Sequence, residues 1–254
     1  MNFSPELKAA LDAAEQAAII ARSLYQHNLD VRIKADKSPV TEADVRCEVA
    51  IREILESRFP SHGFFGEETG ARDRDADSLW LVDPIDGTKA FVREYPMFST
   101  QIALMRDGEI VLGVSNAPVY GELAFAELGS GAYLNGKQLR VSDIATLEAA
   151  ALSAGNLKSL ALSGQWARYG AMVSKLGRIR GYGDFLHYHL LAAGKLEAVI
   201  ESDVNILDIA ACVAIVTEAG GRFTDLTGAS VSLETSSVLA TNGKMHDVIL
   251  AALG

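Results

Sequence analysis

The chain has 254 residues, 49% hydrophobic and 22% charged, so it can bury a sizeable core without disulfides or a structural metal. Lys plus Arg number 23 against 33 Asp plus Glu, a net charge of -10. That balance disfavours a protein that grips nucleic-acid phosphates and suits one that gathers divalent cations.

No basic segment precedes an apolar one at the N-terminus, so no signal peptide is expected, and no stretch has the roughly 18 apolar residues of a membrane span. Two scattered cysteines, Cys47 and Cys212, make neither a disulfide framework nor a zinc site. The expected compartment is a reducing cytoplasm.

In chain order, Ser4-Pro5-Glu6 reads as a helix start, with a capping hydroxyl, a first-turn proline and an acid. Leu7, Leu11, Ala14, Ala18 and Leu24 keep a helical period, which predicts a helix over 5–27. Residues 30–40 read as a short strand and a turn ended by Pro39. Thr41-Glu42-Ala43-Asp44 forms a capping box. It opens a second helix to Arg58, with Val45, Val49, Ile51 and Leu55 as its expected apolar face.

Residues 79–83, 98–106, 109–118 and 122–128 then read as strands separated by glycine turns, with Asp107-Gly108 as a hairpin signal. Beyond residue 141 helices and strands alternate. Strands are expected at AALSAG and 196–202, and helices at 164–177, 185–194 and 209–219, the last capped by Gly220-Gly221. The predicted class is α+β, in two tightly packed lobes, 1–143 and 144–254.

The most informative stretch is Trp80-Leu81-Val82-Asp83-Pro84-Ile85-Asp86-Gly87-Thr88. A buried-type strand runs into two acids, a proline, a glycine and a hydroxyl. An ordinary turn explains Pro84 and Gly87 but not the two carboxylates and the threonine. Asp83, Asp86 and the Ile85 carbonyl are hard oxygen donors suited to Mg²⁺. Gly87 and Thr88 would open a helix whose N–H groups can hold a phosphate.

Three more places carry acids. Glu67 and Glu68 sit between Gly66 and Gly70, which argues for close backbone approach. Asp44 is the acid of the capping box. Asp208 opens an apolar helix, and an N-cap would explain it as well as a ligand would. Together, Asp44, Glu67, Asp83, Asp86 and Asp208 are five acids at element ends. Such a group is costly unless cations neutralise it.

These residues resemble the inositol monophosphatase superfamily. WLVDPIDGTKAF is similar to its first signature and Gly66-Glu67-Glu68 to its upstream GEE. Ser38-Pro39-Val40-Thr41 through Asp44, and Asp208-Ile209-Ala210-Ala211 through Gly220-Gly221, resemble its two flanking motifs. Leu207 departs from the pattern, since many members carry an aromatic residue there.

The resemblance implies a layered αβαβα sandwich with the active site between the lobes, and a Mg²⁺-dependent, lithium-sensitive phosphatase. It assigns Glu67, Asp83 and the Ile85 carbonyl to one Mg²⁺, and Asp83, Asp86 and Asp208 to a second, with a third, weaker ion near Glu67. It gives Gly87 and Thr88 the substrate phosphate. Thr88 with Asp44, or Glu67, would activate the attacking water. A homodimer is expected by the same analogy, with neither nucleic acid nor membrane as partner.

Gly181-Tyr182-Gly183-Asp184-Phe185 is similar to the histidinol-phosphatase branch, and Glu201 matches a position that contacts the substrate's far end. Carboxylates at Asp184 and Glu201 complement an ammonium and an imidazole. The plainer readings are that Asp184 caps the following helix and that Glu201 binds a hydroxyl, as an inositol site would need. Histidinol phosphate is placed first and inositol monophosphate second. Adenosine 3′,5′-bisphosphate and fructose 1,6-bisphosphate follow, and a non-catalytic binding protein of the same fold is the alternative from another class.

Overall fold

The computed structural model describes residues 3–27, 31–33 and 39–254; Ser38 and part of the strand and turn expected over 30–40 lie outside them. Helix α1 spans Pro5–Leu24, ending short of the expected residue 27, with the Ser4 hydroxyl accepting from the Leu7 N–H. Seven of its eight buried residues are alanines. Small side chains let neighbours come close: Asn116 donates to the Ala14 carbonyl at 3.1 Å. Two short strands, β1 (Arg32–Ile33) and β2 (Pro39–Val40), pair antiparallel, so Pro39 opens a strand rather than ending one.

Helix α2 (Glu42–Arg58) starts at the predicted capping box, and its buried face is the expected one only at Ile51 and Leu55. Val45 and Val49 are exposed. The buried stripe is Ala43, Asp44, Cys47, Glu48, Ile51 and Leu55. Two carboxylates lie inward at helical spacing, which an apolar-period reading places outside.

Eight strands form the large sheet: β3 (Gly63–Gly66), β4 (Gly70–Arg72), β5 (Ser78–Asp86), β6 (Ser99–Arg106), β7 (Glu109–Ala117), β8 (Glu122–Glu127), β9 (Gly131–Leu134) and β10 (Lys137–Gln138). Their order is β10-β9-β8-β7-β6-β5-β3-β4. All neighbours are antiparallel except β3 and β5. The Asp107-Gly108 turn joins β6 to β7 with φ of 51° and 81°, the positive pair of a two-residue hairpin. Short helix α3 (Thr88–Val92) follows β5.

The small sheet holds β11 (Ala151–Ala154), β12 (Arg178–Arg180), β13 (Ala198–Ser202), β14 (Arg222–Thr224) and β15 (Ser237–Thr241), in the order β12-β11-β13-β15-β14. Around it lie α4 (Lys158–Leu162), α5 (Trp166–Val173), α6 (Asp184–Ala192), α7 (Ile206–Glu218) and α8 (His246–Leu253). The helix expected over 164–177 is shorter, running over Trp166–Val173 as α5, and α4 ahead of it was not expected. The helix expected from 209 begins at Ile206, which moves Asp208 inside its first turn.

Three apolar clusters define the layers. One joins α1 and α2 to one face of the large sheet, through Trp80, Val82, Ile102 and Leu104. A second fills the space between the sheets with α6 and α7, using Leu79, Leu81, Ala103 and Met105 from one sheet and Val199, Val238 and Ala240 from the other. A third packs α5 and α8 on the far face of the small sheet. The result is the αβαβα sandwich. No described helix is long and apolar enough to cross a membrane.

Candidate active site

Strand β5 delivers two carboxylates to one place by breaking its own alternation. Leu79 and Leu81 face α7 while Trp80 and Val82 face α2. Residues three apart on a regular strand point to opposite faces. Here the pairing with β6 slips: Asp83 stands opposite Gln101 and Asp86 opposite Ser99. The extra residue restores the phase, so Asp83 and Asp86 turn the same way. Ile85 goes to the α2 side, and its N–H donates to Asp83 Oδ1 at 3.0 Å.

Asp208 meets them from α7. Asn205 is the N-cap, and Asp208 is the third helical residue of a capping box, its Oδ2 accepting from the Asn205 N–H at 3.0 Å. One ligand oxygen from each of Asp83, Asp86 and Asp208 falls within 4.8 Å of the others. Glu67 completes the group by hydrogen-bonding the Asp83 carboxyl.

Burial, above all, pushes Asp83 well above the ordinary carboxylate range, with Glu67, Asp86 and Asp208 adding to it. Burial also raises Asp86, reinforced by Asp184, Asp208, Glu201 and Glu67. Asp208 is pushed up to about 7, again by burial first, with the Asn205 N–H pulling the other way. Asp86 and Asp208 keep some open surface, but protein surrounds both. The neighbours that act most on Asp83 and Asp86 are all carboxylates. Hard oxygens gathered this closely fit a divalent cation.

Asp44 turns out to have two functions, one per oxygen. Oδ2 accepts from the Thr41 N–H at 2.8 Å and the Thr41 hydroxyl at 2.6 Å, closing the capping box. Oδ1 lies 3.0 Å from the Thr88 hydroxyl, which is also 3.0 Å from the Ile85 carbonyl. The hydroxyl has one proton and serves one of these acceptors at a time. Asp44 is buried and raised above its ordinary pKa by that burial, against the pull of Thr41 and Thr88. Gly87 caps α3 at φ 90°, and a Cβ there would sit 2.5 Å from the Met97 carbonyl oxygen. Glycine is needed at that turn.

Glu48 escaped the sequence reading. It is buried, and its two oxygens accept from the Glu68 and Thr69 N–H groups at 2.8 and 2.6 Å, which holds the turn carrying Glu67. A Cβ on Gly66 would come 2.5 Å from the Glu48 carboxyl. The available signal was spacing: Glu48 lies one helical turn after Asp44, on the same face.

Asp184 and Glu201 are charge neighbours of Asp86, but their surroundings differ. Asp184 does not cap α6, since Gly183 is the N-cap and no side chain satisfies that end. It sits at φ 44°, a left-handed conformation rare outside glycine, asparagine and aspartate. Glu201 is already bound. Its Oε2 accepts from the Tyr188 hydroxyl at 2.6 Å and lies 3.1 Å from His187 Nε2, while Oε1 accepts from the Asn156 N–H at 3.2 Å.

A layered sandwich with buried carboxylates converging at an inner strand end, beside a glycine-capped helix start, defines the chain as a phosphatase of the αβαβα class. It belongs to the inositol monophosphatase family, whose sequence profile matches residues 2–254. A histidinol-phosphatase of Mycobacterium tuberculosis is 38% identical over 98% of this chain and 97% of its own length. A histidinol-phosphatase of Chlorobaculum parvum is 34% identical over 99% and 98%. Among solved structures, the extragenic suppressor protein suhB of Bartonella henselae superposes with a TM-score of 0.90 at 31% identity, covering 98% of both chains.

Proposed function

We propose that the chain hydrolyses histidinol phosphate to histidinol and phosphate, and that it needs Mg²⁺ to do so. The observation that carries the metal reading is the convergence of Asp83, Asp86 and Asp208 within 4.8 Å. The residues that would hold Mg²⁺ are Glu67, Asp83 and the Ile85 carbonyl for one ion and Asp83, Asp86 and Asp208 for another. Bound there, Mg²⁺ supplies charge that lowers the pKa of water and stabilises a leaving alkoxide.

The remaining chemistry belongs to side chains and backbone. The Thr88 hydroxyl, 3.0 Å from Asp44, orients the attacking water, and Asp44 takes its proton. Burial makes Asp44 a stronger base than a surface carboxylate, which suits that role. The N–H groups of Gly87 and Thr88 have no partners within their own helix and hold the ester phosphate. Attack on phosphorus breaks the ester P–O bond on the opposite side, and the departing oxygen is protonated. No side-chain nucleophile is needed.

Two observations support histidinol phosphate among the esters: the names of the relatives and the carboxylates of Asp184 and Glu201 next to Asp86. An ammonium and an imidazole at the substrate's far end complement that negative field. A homodimer, by family analogy, and a cytoplasmic location, from the two scattered cysteines, complete the reading.

The test compares kcat/KM for histidinol phosphate, inositol 1-phosphate, fructose 1,6-bisphosphate and adenosine 3′,5′-bisphosphate, with and without Mg²⁺. Histidinol phosphate is expected first, with turnover abolished by chelation. A preference for inositol 1-phosphate overturns the substrate, and full turnover after chelation overturns the metal. Asp83→Asn is expected to lose nearly all activity while remaining folded, because it removes the charge assigned to both ions. Activity within about tenfold of wild type would show that Asp83 does not bridge them.

A further inference from the structure

The layer between the large sheet and helices α6 and α7 is mostly apolar, yet a line of buried polar residues crosses it. Ser99, Gln101, Ser115 and His189 are all at most 1% exposed. Around them lie Ala103, Met105, Ala124, Ala126 and Leu191. Polar groups in such a place are costly unless each finds a partner.

Each does find one, and the partners form an unbroken chain. Glu122 Oε2 lies 2.8 Å from His189 Nδ1, and His189 Nε2 lies 2.9 Å from the Ser115 hydroxyl. Gln101 Nε2 donates to Ser115 at 3.1 Å and to Ser99 at 2.8 Å. The Ser99 hydroxyl then reaches Asp86 Oδ2 at 3.5 Å. Strand pairing builds this in, because Gln101 stands opposite Ser115 and Ser99 opposite Asp86. The chain thus begins at an acid near the surface and ends at a carboxylate of the acid cluster.

The direction of every bond follows from its two ends. Glu122 accepts only, so His189 donates from Nδ1, and a neutral ring then accepts at Nε2. Ser115 must therefore donate to His189, which leaves its oxygen to accept from Gln101. The Gln101 carbonyl oxygen faces the Cys212 thiol at 3.9 Å, so both amide hydrogens remain for the two serines. Ser99 accepts one of them, and its own proton goes to Asp86. With Asp86 ionised, as a bound cation would require, reversing any link would set two donors or two acceptors against each other.

We propose that His189 is a positioning residue for the metal site: through Ser115, Gln101 and Ser99 it fixes the donation to Asp86 Oδ2 and leaves the other Asp86 oxygen for the cation. The proposal rests on the Mg²⁺ reading given above. Partners behind a metal ligand typically change metal affinity by about 10- to 100-fold when removed. His189 would act at the low end of that range, because its effect passes through three residues.

The experiment is calorimetric titration of the chelated protein with Mg²⁺, for wild type, His189→Phe, Ser99→Ala and the double variant. Each single variant is expected to bind Mg²⁺ about tenfold more weakly. The double variant should bind no more weakly than the worse single one, because both remove the same chain. His189→Gln keeps an acceptor for Ser115 and should return to within about threefold of wild type. Where His189→Phe does not fold, Ser115→Ala breaks the same link with little change in volume. Wild-type affinity in His189→Phe, or losses that multiply in the double variant, overturns the proposal. Wild-type protein that binds no Mg²⁺ overturns the metal reading and the proposal with it.

Discussion

Asp184 and Glu201 are both carboxylates beside Asp86, and their different bonding decides what each can report. Glu201 is held by donors on both oxygens, so Glu201→Gln would turn an amide N–H₂ toward donors and disturb the fold around it. Asp184 caps nothing, and its φ of 44° is tolerated by asparagine better than by alanine. Asp184→Asn therefore removes charge with the least structural disturbance. A hydrogen bond to a charged group contributes about 1.5–3 kcal/mol, so kcat/KM for histidinol phosphate should fall roughly 10- to 150-fold. Turnover of p-nitrophenyl phosphate, which lacks the cationic end, should hardly change. Equal losses on both substrates would make Asp184 a structural residue rather than a reader of the substrate.

The elements place these residues through a device used twice. Asp44 on α2 and Asp208 on α7 are both the third helical residue of a capping box, so one oxygen completes the helix start and leaves the other for a different partner, which for Asp44 is the Thr88 hydroxyl. The sequence reading weighed capping against function as alternatives, whereas the geometry lets one carboxylate do both. Asn205→Ala tests the coupling. It should cost about 1 kcal/mol of stability, the usual loss for an N-cap. It should also weaken Mg²⁺ binding, because Asp208 loses the helix start that orients it. A stability loss with unchanged Mg²⁺ affinity would separate the cap from the site. The motif-bearing elements were legible because their signals are local: strand alternation in β5 to β8, the Asp-Gly turn, and the cap before α2. The inward face of α2 was not, since Asp44 is buried for Thr41 and Thr88 and Glu48 for the N–H groups of the turn after β3, and neither for hydrophobicity. Strands β12 and β14, three residues each, carry too short a pattern to read, and their places in the small sheet are set by neighbours far along the chain.

At the scale of the whole molecule, the site stores electrostatic strain of a kind that a bound cation would relieve. Asp83, Asp86 and Asp208 have folded-state pKa values above the unfolded ones, so the folded protein binds more protons there than the unfolded chain. Stability from these groups is complete below the unfolded pKa and is lost as pH rises through the folded values. The buried histidines act oppositely: His246, lowered to about 4, and His189, also lowered, withdraw stability as pH falls through their unfolded range. Above pH ~7 those histidines are neutral in the folded state and nearly so in the unfolded one. The slope is then set by the acid cluster together with the thiols of Cys47 and Cys212, which burial raises and which act in the same direction. The melting temperature of the chelated protein should therefore fall between pH ~7 and pH ~8.5, the range above the Asp208 value of about 7. On the proposed metal reading, Mg²⁺ would bind the ionised cluster and displace its protons, so it should stabilise more at the upper pH than at the lower. At about 100 times its Kd a ligand adds about 2.7 kcal/mol, which for a chain of this size is a rise of roughly 5–11 °C. The measurement is a thermal melt at both pH values, with chelator and with Mg²⁺. A metal-free melting temperature that climbs across this range, or an equal Mg²⁺ shift at both ends of it, would mean that the three aspartates are not the groups that oppose the fold.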